Sequence, residues 1–320
     1  MNGRLRARVL LSVLAGGVIT WLMLGGPSGR LAERLSDIAA TLSSADPLLV
    51  AAAFALYAAS VVARGVRLSL LGNGSPATWS AAFLTAIHAG LGHVLPLRLS
   101  DVAMIGLLKG HASIAPGRGT GMVILAKLLD VASLGFVIST AFLCGADGSV
   151  VLAALIALAA GSAGILALPA IPWMASRLSG GLFDNPRVRR FVSTLGEASR
   201  IWKSDRAGFL KASGVSVAAW VLKLSMFVCL SRAVGLIEPP FWQIFFAGAV
   251  TDLIMALPIH GLFSLGTAEA GWTAGFAVLG IKGEGIVTAG FGVHILWMLS
   301  ALLGVLVAAP ILLGSRRSEG

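Results

Sequence analysis

Apolar residues run along this chain in long blocks, neither alternating nor confined to one face of a helix. Six blocks, residues 9–26, 47–63, 120–143, 150–172, 208–235 and 286–312, are uninterrupted. A hydrocarbon core of about 30 Å needs about 20 apolar residues, so each block is read as a full span. Two further apolar regions are broken. Residues 78–112 hold a stretch to Leu95, a proline and polar interruption, then only "VAMIGLLKG". Residues 241–281 hold a stretch to Leu257, an interruption at "PIHGLFSLG", and another short arm. Second arms of this length predict helices that enter and turn back. The expected fold is an all-α polytopic membrane protein with about six full transmembrane helices plus two re-entrant helical hairpins, eight or more membrane segments in total.

Composition agrees with a chain dissolved in lipid: 57% is hydrophobic, only 12% is charged, and mean hydropathy is +0.91. The 40 glycines and 12 prolines suit close helix packing and broken helices. The N-terminal segment has the charge pattern of a signal peptide. Its apolar run is long enough to span and no small-x-small cleavage site stands out, so it is read as an uncleaved first span. Cys144 and Cys229, the only cysteines, define neither a disulfide framework nor a metal site.

A net charge of +10 raises the question of nucleic acid, and the positions of the basic residues answer it. If both broken regions turn back and the N-terminus is cytoplasmic, the inner segments hold 17 of the 24 Lys and Arg. The outer segments hold Arg30, Arg34 and Lys282, and Arg98, Lys127, Lys223 and Arg232 fall in or near membrane segments. That asymmetry follows the positive-inside rule, so no nucleic-acid partner is expected, and both termini are placed in the cytoplasm.

The chain then reads as one integral membrane domain. Its first half, 1–172, carries the hairpin 78–112, and its second half, 208–312, carries the hairpin 241–281. The linker 173–207 contains an amphipathic basic stretch with Val188, Phe191, Leu195, Ala198 and Trp202 along one face. It can lie on anionic headgroups or be a solvated linker. Trp79 stands 16 residues before Leu95 and Trp242 stands 15 before Leu257, and Arg98 and His260 each follow a proline by two. Three spans separate the hairpins, so they open to opposite sides. This is an inverted repeat, the arrangement in which transporters build a midplane site from broken helices.

Charge inside a bilayer is costly and marks pairing, a solvated cavity or function. At the first hairpin the candidates are Arg98 and Asp101, with Pro96 at the break. At the second they are Glu269, with Pro258 and Gly266 at the break. Asp101 and Glu269 can also do no more than complement helix N-termini. Lys127 and Asp130 are three apart on one span and able to pair. Lys223 sits in mid-span and wants a carboxylate or phosphate, with Asp252 a candidate partner. Arg64 and Arg67 close the second span, as anchors or as lipid phosphate ligands. His88, His93, His260 and His294 make no metal-ligand pattern, and a packed or hydrogen-bonded histidine is the reading for each. There is no Walker loop, nucleophile elbow or acidic metal run, so no cofactor and no metal are expected.

Four stretches taken in order carry a resemblance: "ARGVRLSLL" (63–71), "GHVLPLRLSDVAMIGLL" (92–108), "VILAKLLDVASL" (123–134) and "LPIHGLFSLGTAEAG" (257–271). They resemble the successive motifs of the lysylphosphatidylglycerol synthase transmembrane region, a flippase-like family, over residues 60–310. The resemblance implies a bilayer-embedded fold that moves or presents lipids. It carries family positions onto Arg64, Arg67, Pro96, Arg98, Asp101, Lys127, Asp130, Pro258, Gly266 and Glu269. The sequence departs from the family pattern at His93, Ser100, Ala126-Lys127 and Ala268. These departures leave fewer charges and imply a substrate unlike an aminoacylated phospholipid. The aminoacyl-transferase domain of the full-length synthases is not seen after the last span, which argues against lysyl-lipid synthesis by this chain.

The leading expectation is a transporter-like lipid translocase of a bacterial inner membrane, not an enzyme. It would move a phospholipid, polyprenyl-phosphate glycolipid or hopanoid-class lipid through a cavity between two opposed hairpins. Arg64, Arg67, Arg98, Asp101, Lys127, Asp130, Lys223, Asp252 and Glu269 would meet the headgroup or hold one another. Two alternatives stand beside it: a membrane-embedded enzyme acting on a headgroup, and a non-catalytic subunit docking lipid-synthesis enzymes.

Overall fold

The structure, a computed structural model, describes residues 3–95, 99–143, 148–167, 196–255 and 262–317. Among these residues the regular structure is helical throughout. In chain order the helices are α1 (Gly3–Met23), α2 (Leu31–Ser43), α3 (Pro47–Leu71), α4 (Thr78–Val94), α5 (Leu99–Ala112), α6 (Pro116–Leu143) and α7 (Gly148–Ala167). A helical stretch over 196–204 follows, then α8 (Arg206–Ala233), α9 (Phe241–Met255), α10 (Thr267–Val278) and α11 (Glu284–Arg317).

The described residues of the six uninterrupted apolar blocks fall largely on α1, α3, α6, α7, α8 and α11, the apolar part of α1 being the shorter Leu10–Met23. Among the described residues, Pro47–Leu71, Pro116–Thr140, Arg206–Ala233 and Glu284–Gly314 are long and apolar enough to cross a membrane. The broken regions become the pairs α4/α5 and α9/α10. Their helices have 17, 14, 15 and 12 residues, about 18–26 Å at 1.5 Å per residue. One element departs from the apolar pattern. Segment 27–46, read as an outer connection, holds α2. Most of the basic linker lies outside the described residues; within 196–204, Ala198 and Ile201 are buried.

Helix starts are set by local chemistry. The Asp46 carboxylate accepts the Leu48 and Leu49 N–H groups at 2.8 and 3.2 Å, with Pro47 as the first helical residue of α3. Asp205 accepts the Gly208 N–H at 2.8 Å at the start of α8.

Burial is inverted relative to a water-soluble domain. Large apolar side chains such as Leu14, Leu306 and Leu313 are exposed, whereas Lys223 and Glu269 are 4% and 0% exposed. Apolar outside and charge inside is what a hydrocarbon solvent selects.

The residues form two compact units, each interleaved along the chain. One comprises Met1–Ala59, Ala86–Ser100 and Val221–Pro310; the other comprises Ser60–Thr85, Asp101–Trp220 and Ile311–Gly320. The core of the first is aromatic: Phe227 lies 6.0 Å from Trp272 and 5.2 Å from Trp297 between ring centres, and Trp272 lies 5.1 Å from Phe276. In it α9 and α10 pack backbone to backbone. Gly271 and Gly275, four apart on α10, face Thr251 and Ala247, four apart on α9, and a Cβ at either glycine would come within 2.7 Å of the facing backbone. Small residues at this spacing let helices approach closely where no hydrophobic effect drives them together. The second unit has an aliphatic core of Leu71, Leu108, Met122 and Leu125, and Gly161 of α7 lies against the Ala132 backbone of α6.

Gly271→Ala and Gly275→Ala should therefore each lower the thermal unfolding midpoint in detergent micelles, by the equivalent of about 1–3 kcal/mol of overpacking. Gly106→Ala, where a Cβ meets nothing within 4 Å, should leave the midpoint unchanged or raise it by up to about 1 kcal/mol, through better helix propensity.

Candidate functional site

Charged side chains collect inside each unit. In the second unit, α3 carries Arg64 and Arg67 nearly one turn apart. The helix does not close at these arginines, as the apolar pattern suggested, but runs on to Leu71, so both lie within it. Arg67 is 6% exposed and grips Asp130 of α6 with both terminal nitrogens, Nη1 to Oδ1 at 2.5 Å and Nη2 to Oδ2 at 3.3 Å. Trp220 of α8 donates its indole N–H to the same Oδ1 at 2.9 Å, and Arg67 Nη1 reaches Ser216 Oγ at 3.4 Å. Three helices thus meet on one carboxylate.

Arg64 is different. Its guanidinium stands over the Trp220 ring at 5.8 Å, yet its Nε and Nη2 are buried without a hydrogen-bond partner among the described residues. A guanidinium with two open donors, half-buried on an indole, is chemically a receptor for an oxyanion.

Lys127 does not pair with Asp130, although the two share a face of α6. Its ammonium lies 2.9 Å from Asp101 of α5, while Asp130 is held by donors from α3 and α8. Spacing of three permits a contact along one helix, but stronger donors on neighbouring helices occupy the carboxylate. Arg98, Pro96 and Pro258 lie outside the described residues.

In the first unit, the Lys223 ammonium meets Asp252 of α9 at 2.5 Å and stands over the Trp297 ring at 4.5 Å. Glu269, in the first turn of α10, is fully buried. Its Oε2 accepts the Gly266 N–H at 2.7 Å, and its Oε1 lies 2.6 Å from His294 Nδ1. Gly266 has a positive φ of 81°, and a Cβ there would strike Gly16 and Thr20 of α1. His93 of α4 is 3% exposed and meets Trp297 edge-on, 4.5 Å between ring centres.

Trp220 and Trp297 are absent from the sequence reading, while His93 and His294, read there as packed or hydrogen-bonded, are so placed, His294 on Glu269 and His93 against Trp297. No spacing rule joins His93 to His294, 201 positions apart in the chain. The one available signal is that His93 stands within the "GHVLPLR" stretch of the first break. A cavity of about 500 Å³ in the same unit lies elsewhere, lined by Arg34, Asp37, Thr41, Glu284 and Thr288, and its arginine is already paired with Glu284 at 2.6 Å.

Removing Lys223 alone should strand a buried carboxylate. Lys223→Met is expected to destabilise the protein by about 3–5 kcal/mol, whereas the double change Lys223→Met with Asp252→Leu should recover most of that loss. Thermal unfolding in micelles, read as a double-mutant cycle, checks it. Additive losses would show that the pair contributes nothing.

A family profile described as "Lysylphosphatidylglycerol synthase TM region" matches residues 9–306. No curated protein and no solved structure matches the chain significantly. The match covers nearly the whole sequence, and the chain belongs to this family of membrane regions.

Proposed function

We propose that this member of the lysylphosphatidylglycerol synthase TM region family is a lipid translocase of a bacterial inner membrane, with both termini cytoplasmic. It takes the polar headgroup of a membrane lipid onto charged side chains set within the bilayer while the acyl or prenyl tail stays in lipid. Arg64 carries the reading. Its two buried donors, unpartnered among the described residues, beside the Arg67–Asp130–Trp220 cluster offer a bilayer-embedded site for one oxyanion. This favours phosphate-bearing lipids, a phospholipid or polyprenyl-phosphate glycolipid, over a hopanoid with an uncharged headgroup.

The membrane arrangement proposed with it is a single domain with two re-entrant hairpins, α4/α5 and α9/α10, in an inverted repeat. The short helices of both pairs support turning back over crossing, since about 18–26 Å falls below a core of about 30 Å. A shared register supports the repeat. Trp79 and Trp242 are each the second residue of a first arm, and Asp101 and Glu269 are each the third residue of a second arm.

The test is leaflet exchange in vesicles of phosphatidylethanolamine and phosphatidylglycerol, read by dithionite quenching of fluorescent phosphatidylglycerol, a polyprenyl phosphate and an uncharged diacylglycerol. Vesicles holding the protein should exchange the phosphate lipids faster than empty ones. Arg64→Leu should slow this by about tenfold or more, the loss of charge-assisted hydrogen bonds worth about 1.5–3 kcal/mol. Equal rates in empty and loaded vesicles for every lipid would overturn the proposal.

A further inference from the structure

The headgroup reading does not use the buried chain of ionisable groups in the first unit. Glu269 has no exposed surface. Its Oε2 is occupied by the Gly266 N–H, a capping role that accounts for one oxygen only. The other, Oε1, sits 2.6 Å from His294 Nδ1. With Glu269 ionised, its carboxylate only accepts, so in that state Nδ1 carries the proton of the bond and Nε2 is the open end of the ring. His294 Nε2 is buried with no hydrogen-bond partner among the described residues, and so is His93 Nδ1. The two ring centres are 5.9 Å apart.

We infer that Glu269, His294 and His93 form a proton-binding and proton-transfer site inside the bilayer, distinct from the oxyanion site at Arg64. With His294 neutral, the Glu269–His294 pair carries one negative charge. One proton taken up at His294 Nε2 makes an imidazolium–carboxylate pair of no net charge, and the same proton leaves by Nε2 to restore the first state. His93 is the neighbouring relay. Imidazoles suit this because their charge changes within the physiological pH range, and intramembrane Glu–His chains serve as proton relays.

The surroundings set where the proton rests. From α8, Lys223 places its ammonium 4.5 Å from the centre of the Trp297 ring, the same ring that His93 meets edge-on. A proton on His93 therefore lies across one indole from a fixed cation, whose own counter-ion is Asp252 of α9. Residues 10–23 of α1, which packs at Gly266, contain no titratable group. The Glu269–His294 pair is accordingly the loading point and His93 the exit. Resting on the translocase reading, the site would couple one proton to the movement of one lipid.

Two measurements on the full-length protein in phosphatidylethanolamine and phosphatidylglycerol bilayers test this. The first is ¹⁵N magnetic resonance of labelled histidine between about pH 5 and 9. One buried ring, identified by its loss in His294→Asn, should change charge state, with its transition displaced in Glu269→Gln. A ring that holds one charge state across the range, or that titrates identically in Glu269→Gln, overturns the proton site. The second imposes a pH difference across vesicles carrying fluorescent phosphatidylglycerol. At one proton per lipid, each pH unit should hold the leaflet ratio up to about tenfold from its value at equal pH. His294→Asn or His294→Gln should abolish the effect. That ratio is a steady-state quantity and does not depend on how fast a variant works. A wild-type ratio indifferent to pH, with exchange intact, overturns the coupling and leaves the translocase standing. Absence of any exchange removes the translocase and the coupling together, and the histidine titration then decides the proton site alone.

Discussion

A charge that cannot reach water must find its opposite inside the protein, and this requirement organises the packing. Hydrocarbon offers no hydrogen bonds to a carboxylate or an ammonium, so a buried charge is stabilised by a side chain from another helix, as at three carboxylates among the described residues. Asp130 draws Arg67 from α3 and Trp220 from α8. Lys223 draws Asp252 from α9. Glu269 draws His294 from α11. These contacts cross between helices that apolar packing alone would leave free to slide, because lipid tails compete on equal terms with leucine. Small residues then set the distance, as where Gly271 and Gly275 let α10 lie on the backbone of α9.

Much of the fold was legible because the bilayer imposes a ruler. Four of the six apolar blocks fell on helices long and apolar enough to cross, α3, α6, α8 and α11, while the apolar part of α1, Leu10–Met23, is shorter; the two broken regions each fell on two separate helices, α4 with α5 and α9 with α10. Helix α2 was not legible. It is amphipathic, with Glu33, Arg34 and Asp37 among its apolar residues, and a hydropathy ruler passes over such a segment. The full extent of α3 is hidden in the sequence for a related reason. Arg64 and Arg67 look like the end of a span to any scale that penalises charge, yet their partners lie on α6 and α8, and the helix continues through them.

The site was legible as a set of residues but not as a set of pairs. Composition marks Lys223, Asp252, Asp130 and Glu269 as costly in lipid. Which of them meet is decided by packing between helices distant in sequence. Spacing along one helix proposed Lys127 with Asp130, and the structure instead gives Lys127 to Asp101. Histidine is the harder case. Uncharged, it carries no conspicuous penalty in an apolar segment, so His93 and His294 read as ordinary core residues until Glu269 and Trp297 are seen beside them.

Pairing alone therefore does not mark function in such a protein, because stability already demands it. The Arg67–Asp130–Trp220 and Lys223–Asp252 contacts tie helices together and would do so in a membrane protein with no task. What stability does not explain is a buried donor or acceptor left open at the edge of a closed cluster, since each carries an uncompensated desolvation cost. Among the described residues Arg64 beside the first cluster and the open nitrogens of His294 and His93 beside the second are of this kind, and one atom of each pair, Arg67 Nε and Asp252 Oδ2, is open as well. Their chemistry differs accordingly. A guanidinium with open N–H groups can only donate, and matches an oxyanion. An imidazole nitrogen held opposite a carboxylate can accept and return a proton. One unit thus holds a group whose chemistry suits an oxyanion and the other a group whose chemistry suits a proton, and the roles proposed for them rest on these open atoms more than on the paired ones.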